Sequence, residues 1–113
     1  DGVRILGRRT AAITMMDHKG PEFGREPLAE ASSWWVPPTG QGFGFTGSVL
    51  RNVAQSSMLG SVGDFSWGGA AGTFFWVDRE EQVIGILLTQ LRPPNAYPIR
   101  AQMKVLTNQA VVE

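Results

Sequence analysis

Residues 64–90, DFSWGGAAGTFFWVDREEQVIGILLTQ, constrain the fold more than any other stretch of the chain. Residues 73–77 are aromatic and β-branched, residues 83–89 are almost wholly aliphatic, and a charged connection at 78–82 separates them. Two short apolar runs joined by a few polar residues read as an antiparallel hairpin; a helix would need a longer run with apolar positions three and four apart. The run 83–88 lacks clean alternation, so that strand is expected to be covered on both faces. Ahead of the hairpin, Trp67 is followed by Gly68, Gly69, Ala70, Ala71 and Gly72, which carry almost no side-chain bulk. Small residues beside a strand let another segment or a ligand approach the backbone closely.

The flanking sequence supplies the other elements. Residues 42–50, GFGFTGSVL, read as one strand, with Phe43, Phe45 and Val49 as candidates for its alternating sites. Gly40, Gly42 and Gly44 form a G-x-G-x-G string, but a phosphate loop needs a helix to start there and a strand pattern follows instead. Pro98 suits the first position of a helix. Ile99, Met103, Leu106 and Ala110 then repeat at helical spacing, a stripe expected to pack on the sheet. Near the start, Gly7 suits the N-cap of a helix over about 8–17, with Ala11, Ala12, Met15 and Met16 as its apolar face. Arg8 and Arg9 at its start and Asp17 at its end oppose the helix dipole, so packing must hold it. The segments are a helix in 1–18, a long loop over 19–41, antiparallel strands over 42–91, and a turn with a C-terminal helix over 92–113. The loop carries Trp34 and Trp35, which either plug it onto the body or wall a pocket.

Composition narrows the function classes. A chain of 113 residues is one domain or less. Zero net charge with scattered Lys and Arg argues against a nucleic-acid partner. There is no cysteine, and no apolar run approaches the length of a membrane span. The chain begins at Asp1 without a Met, as expected of a processed piece or a segment of something longer. His18 is the only histidine, so zinc chemistry is unsupported and no cofactor is expected. Asp17, Asp78, Glu80 and Glu81 read most simply as solvated turn or helix residues. No Ser lies three residues before Lys19 or Lys104, and no Gly-x-Ser-x-Gly elbow occurs. Physical reading alone reaches an α+β domain and no reaction.

The motif Trp67-Gly68-Gly69, followed by Ala70-Ala71-Gly72-Thr73-Phe74-Phe75-Trp76-Val77-Asp78 and then by Ile84-Gly85-Ile86-Leu87-Leu88-Thr89-Gln90, takes the argument further. It resembles the C-terminal part of the serine β-lactamase and penicillin-binding-protein family, in particular the class C-like carboxylesterases, often called family VIII esterases. Where the β-lactamases carry Lys-Thr-Gly, this esterase branch commonly reads Trp-Gly-Gly or His-Gly-Gly. The resemblance extends to residues 3–18, to Gly42-Phe43-Gly44-Phe45, to residues 60–65 and to the terminal helix. It implies the C-terminal part of a β-lactamase-like fold, an antiparallel sheet flanked by helices with about three of its five core strands in this chain. The Ser-x-x-Lys nucleophile and the Tyr-x-Asn motif of that family lie upstream of the matched region and are not in this sequence; Tyr97 does not match the latter.

The resemblance also implies the site residues. Trp67, Gly68 and Gly69 would contact substrate, and the backbone N–H of Ala70 would be one of two oxyanion-hole donors in acyl transfer. Trp67 in place of a lysine removes a cation and offers an apolar wall, which favours neutral esters over β-lactams; a packed core aromatic is the other reading of this residue. Asn95 falls near a position that contacts substrate carboxylates in the family, though turn formation explains it equally well. The expected partners are the missing N-terminal part of the hydrolase, in cis or as a separate chain, and a small-molecule ester or amide, with no nucleic acid and no membrane. A non-catalytic binding or interaction domain that completes a partner chain is the alternative.

Overall fold

A computed structural model describes residues 2–19, 39–56 and 58–111; Trp34 and Trp35 lie outside them. In chain order the elements are α1 (Arg8–Thr14), β1 (Gln41–Phe43), β2 (Ser48–Leu50), α2 (Val53–Ser56), β3 (Phe65–Gly68), β4 (Phe74–Asp78), β5 (Val83–Leu87) and α3 (Ile99–Ala110). Among the described residues five strands form one antiparallel sheet in the order β1-β2-β3-β4-β5. The α+β class and the antiparallel pairing of β4 with β5 are those expected. The strand count is not: residues 42–50 are a hairpin rather than one strand. The Gly44 N–H donates to the Gly47 C=O at 2.8 Å, turning the chain at GFTG and leaving Phe45 exposed.

Register places Ser66, Trp76 and Gly85 on one face and Phe65, Trp67, Phe75, Ile84 and Ile86 on the other. Trp76 is the most deeply buried large side chain, at 1% exposure. It stacks on Phe74 at 5.8 Å, and its ring lies directly over Gly85, where any Cβ would overlap it. The glycine in an otherwise aliphatic strand is thus the floor beneath an indole. Strand β5 is the last in the sheet, and Ile84 and Ile86 are 68% and 62% exposed. One face of β5 is therefore open, not covered as its unbroken apolar run suggests.

Helix α3 packs on the Trp76 face through its cations. Lys104 is 2% exposed and pairs with Asp64, itself 2% exposed. The Arg100 guanidinium lies 5.9 Å above the Phe74 ring. Ile99 and Met103 are half-buried, but Leu106 is 63% exposed, so the expected apolar stripe faces partly outward. The stripe is rotated because buried Lys104 and half-buried Arg100, each with oxygen partners, occupy the sheet side.

Carboxylates read as solvated are structural hubs. Asp78, 4% exposed, accepts the Glu80 and Glu81 N–H groups at 3.0 and 3.1 Å through Oδ1, and the Ser61 N–H and hydroxyl at 3.2 and 2.8 Å through Oδ2. It both shapes the β4–β5 turn and ties the approach to β3 beneath it. Asp17 accepts the Phe43 N–H at 3.1 Å and meets Arg51 at 3.0 Å. Helix α1 ends at Thr14, short of the expected 17, because the Thr14 carbonyl accepts the Phe45 N–H instead of continuing the helix.

Candidate functional site

Strand β3 delivers the motif. β2 pairs with it only at Ser48↔Ser66 and Val49↔Phe65, so its pairing to β3 ends before Trp67. Trp67 is half-buried and meets the Phe43 ring edge-on, at 5.1 Å and 84°. Beside it a cavity of about 430 Å³ opens between the sheet and the start of α3, within the ordinary size range of small-molecule sites. Ser66, Trp67, Gly68 and Phe74 line it from the sheet, Gln41 and Ser48 from the hairpin, and Asn95, Tyr97 and Arg100 from the other side. The Ser48 hydroxyl donates to the Gln41 side-chain oxygen, which fixes both side chains.

The cavity takes in Trp67 and Gly68 and brings Asn95 to them, while Gly69 and Ala70 lie outside its lining. They begin a tight turn. The Gly72 N–H donates to the Gly69 C=O at 3.1 Å, Gly72 has φ +79°, and the Gly69 N–H donates back to the Thr73 C=O at 2.9 Å. Only a glycine adopts such a φ without strain. The Ala71 carbonyl is held from beyond β5, by the Leu91 N–H at 2.8 Å and the Thr89 hydroxyl at 2.7 Å. Ala70 is exposed, and its N–H has no hydrogen-bond partner among the described residues.

Arg100 is the residue that sequence reasoning missed. Its Nη2 donates to the Gly69 C=O at 2.7 Å and its Nε to the Gly72 C=O at 3.5 Å. A Cβ at Gly68 would come within 2.9 Å of the guanidinium carbon, so the room left by this glycine holds Arg100. Burial lowers the Arg100 pKa from its ordinary value by stripping hydration from the charged form, yet an arginine stays protonated in proteins. One signal was available: a cation in the first turn of a helix opposes the dipole unless an acceptor elsewhere holds it.

The two buried carboxylates among the described residues, Asp64 and Asp78, lie outside the cavity lining and differ in character. Burial pushes the Asp64 pKa up, and the hydrogen bond and charge of Lys104 only partly offset it. Its Oδ1 has no hydrogen-bond partner among the described residues. For Asp78 burial also pushes upward, but the hydrogen bonds from Glu81, Ser61 and Glu80 prevail and leave its pKa below the usual value. Among the described residues no group of three or more His, Asp or Glu could hold a metal ion, and no helix is long and apolar enough to cross a membrane.

The fold is that of a known hydrolase. Over 92% of its length the chain superposes on EstCE1, "a hydrolase with promiscuous acyltransferase activity", with a TM-score of 0.71, 24% identity and coverage of 25% of that protein. In sequence it is 34% identical over 96 residues to Protein Rv1367c of Mycobacterium tuberculosis strain H37Rv and, to the same extent, to the uncharacterized protein MT1414 of strain CDC 1551. These matches cover 82% of this chain and 23% of each relative, so the chain spans about a quarter of the length of the proteins it resembles. No protein-family profile matches it.

Proposed function

We propose that this chain is the C-terminal segment of a β-lactamase-like serine hydrolase, a carboxylesterase acting through an acyl-enzyme. The observation that carries this reading is the Ala70 N–H, which leaves the tight turn after Trp67-Gly68-Gly69 without a partner among the described residues, in a fold shared with EstCE1. A serine supplied by another segment would attack the ester carbonyl, and charge would develop on its oxygen. A fixed backbone N–H at that oxygen contributes about 3–4 kcal/mol of transition-state stabilisation. Trp67 would wall the acyl pocket, and Gly68 and Gly69 would admit substrate beside the strand. The open face of Phe75, Ile84 and Ile86 favours a second reading, a non-catalytic domain that completes a partner chain.

The test compares the 113-residue chain with the assembled protein that includes a Ser-x-x-Lys segment. The chain alone should not turn over p-nitrophenyl esters; the assembly should, and should label with a serine-directed phosphonate. In the assembly, Trp67→Ala should lower kcat toward short-chain esters with little change in Tm. A core aromatic cut to Ala would instead cost about 3–5 kcal/mol of stability. An assembly that binds its parts but neither turns over esters nor takes the phosphonate label would leave the completing-domain reading.

A further inference from the structure

We propose that Arg100 is a positioning residue that orients and polarises the Gly69–Ala70 peptide, so that the Ala70 N–H is presented as a fixed oxyanion donor. The inference rests on the hydrolase reading above. Gly69 C=O and Ala70 N–H belong to one peptide unit. That unit is trans, since Arg92–Pro93 is the cis bond among the described residues. In a trans peptide the C=O and the N–H point in opposite directions. The guanidinium 2.7 Å from the Gly69 oxygen therefore fixes the direction of the Ala70 N–H from behind.

The turn's own hydrogen bond from the Gly72 N–H reaches the same oxygen at the longer distance of 3.1 Å. Arg100 adds a charged donor from outside the turn, reaching the Gly69 and Gly72 carbonyls from a helix packed on the sheet. A charged donor on the carbonyl also draws electron density from the amide, so the N–H opposite becomes a better donor; such cooperativity is about 10–30% per bond. Arg100 is thus assigned an effect on the transition state without touching the reacting atoms.

The experiment uses the assembled hydrolase with Arg100→Met and Arg100→Lys, and the 113-residue chain for NMR. In Arg100→Met, kcat toward p-nitrophenyl butyrate should fall roughly ten- to a hundredfold, the scale of a misplaced catalytic donor, with KM little changed and Tm retained. Arg100→Lys should recover part of the loss, because an ammonium still donates to the Gly69 oxygen. The Gly69 carbonyl ¹³C resonance should move upfield in Arg100→Met and less in Arg100→Lys. A folded Arg100→Met assembly with unchanged kcat overturns the inference and leaves the hydrolase reading intact. So does a rise in KM at constant kcat, which would make Arg100 a substrate contact. A wild-type assembly with no turnover and no phosphonate labelling overturns both.

Discussion

Replacing Lys104 with Met is expected to destabilise the protein by an amount that depends steeply on pH. Lys104 and Asp64 have side chains only 3% and 1% exposed, so solvent does not screen the pair. Removing one partner of such a pair costs about 3–5 kcal/mol, because the other charge stays buried. Asp64 would be left with neither oxygen paired, its Oδ1 having no partner among the described residues already. It escapes by taking up a proton. With an unfolded pKa of about 3.9, neutralising it costs about 1.4 kcal/mol per pH unit above that, roughly 4 kcal/mol at pH 7. The same proton costs roughly 1.5 kcal/mol at pH 5. The sign follows from the raised folded pKa: between the unfolded and folded values the folded variant binds more protons, so its stability rises as pH falls. Denaturant unfolding of wild type, Lys104→Met, Asp64→Asn and the double variant at pH 7 and pH 5 checks this. The Lys104→Met penalty should shrink by more than half between those pH values, and the double variant should lose most of that pH dependence. A penalty that is flat with pH, or a double variant as pH-sensitive as Lys104→Met, would refute an ionised, desolvated Asp64.

Two further outcomes concern the sheet. Asp78→Ala removes the acceptor of four hydrogen bonds and should cost about 2–4 kcal/mol near neutral pH by denaturant unfolding. Because the folded pKa of Asp78 is depressed, wild type should hold that advantage above the unfolded value of about 3.9 and lose it as pH falls through the folded pKa; an advantage that persists in strong acid would contradict the assignment. Gly85→Ala places a methyl group in the Trp76 ring and should cost about 1–3 kcal/mol by overpacking, accompanied by a shift in tryptophan fluorescence; a neutral effect would mean that the indole does not rest there.

The parts of the fold that announce themselves in sequence are the local ones. The β4–β5 hairpin is legible because aromatic and aliphatic runs flank a charged turn, and the start of α3 because Pro98 precedes a helical repeat. The 42–50 hairpin is not, since Phe43 and Phe45 keep strand alternation across Gly44 and hide the turn that the second glycine, Gly47, completes. The orientation of α3 is hidden for a different reason. Ile99, Met103 and Leu106 make the better apolar face, and only Asp64 and the Gly69 carbonyl, distant in sequence, explain why the cationic face turns inward. Trp67 and Gly68 stand out in sequence as a motif and line the cavity, whereas Arg100 is read only once the backbone carbonyls it meets are in place.

The cationic underside of α3 also makes the helix a ruler. Arg100 and Lys104 stand four residues apart, roughly 6 Å along the axis; the first is matched to the Gly69 and Gly72 carbonyls of the turn after β3, the second to the Asp64 carboxylate just before β3. An apolar interface tolerates a slide of one turn, since one methyl can replace another. Here a slide would carry two charges past their acceptors into places that offer none. The length of the 92–98 connection is therefore gauged against the motif strand, and inserting a single residue there would be felt at Gly69 before it was felt in the core.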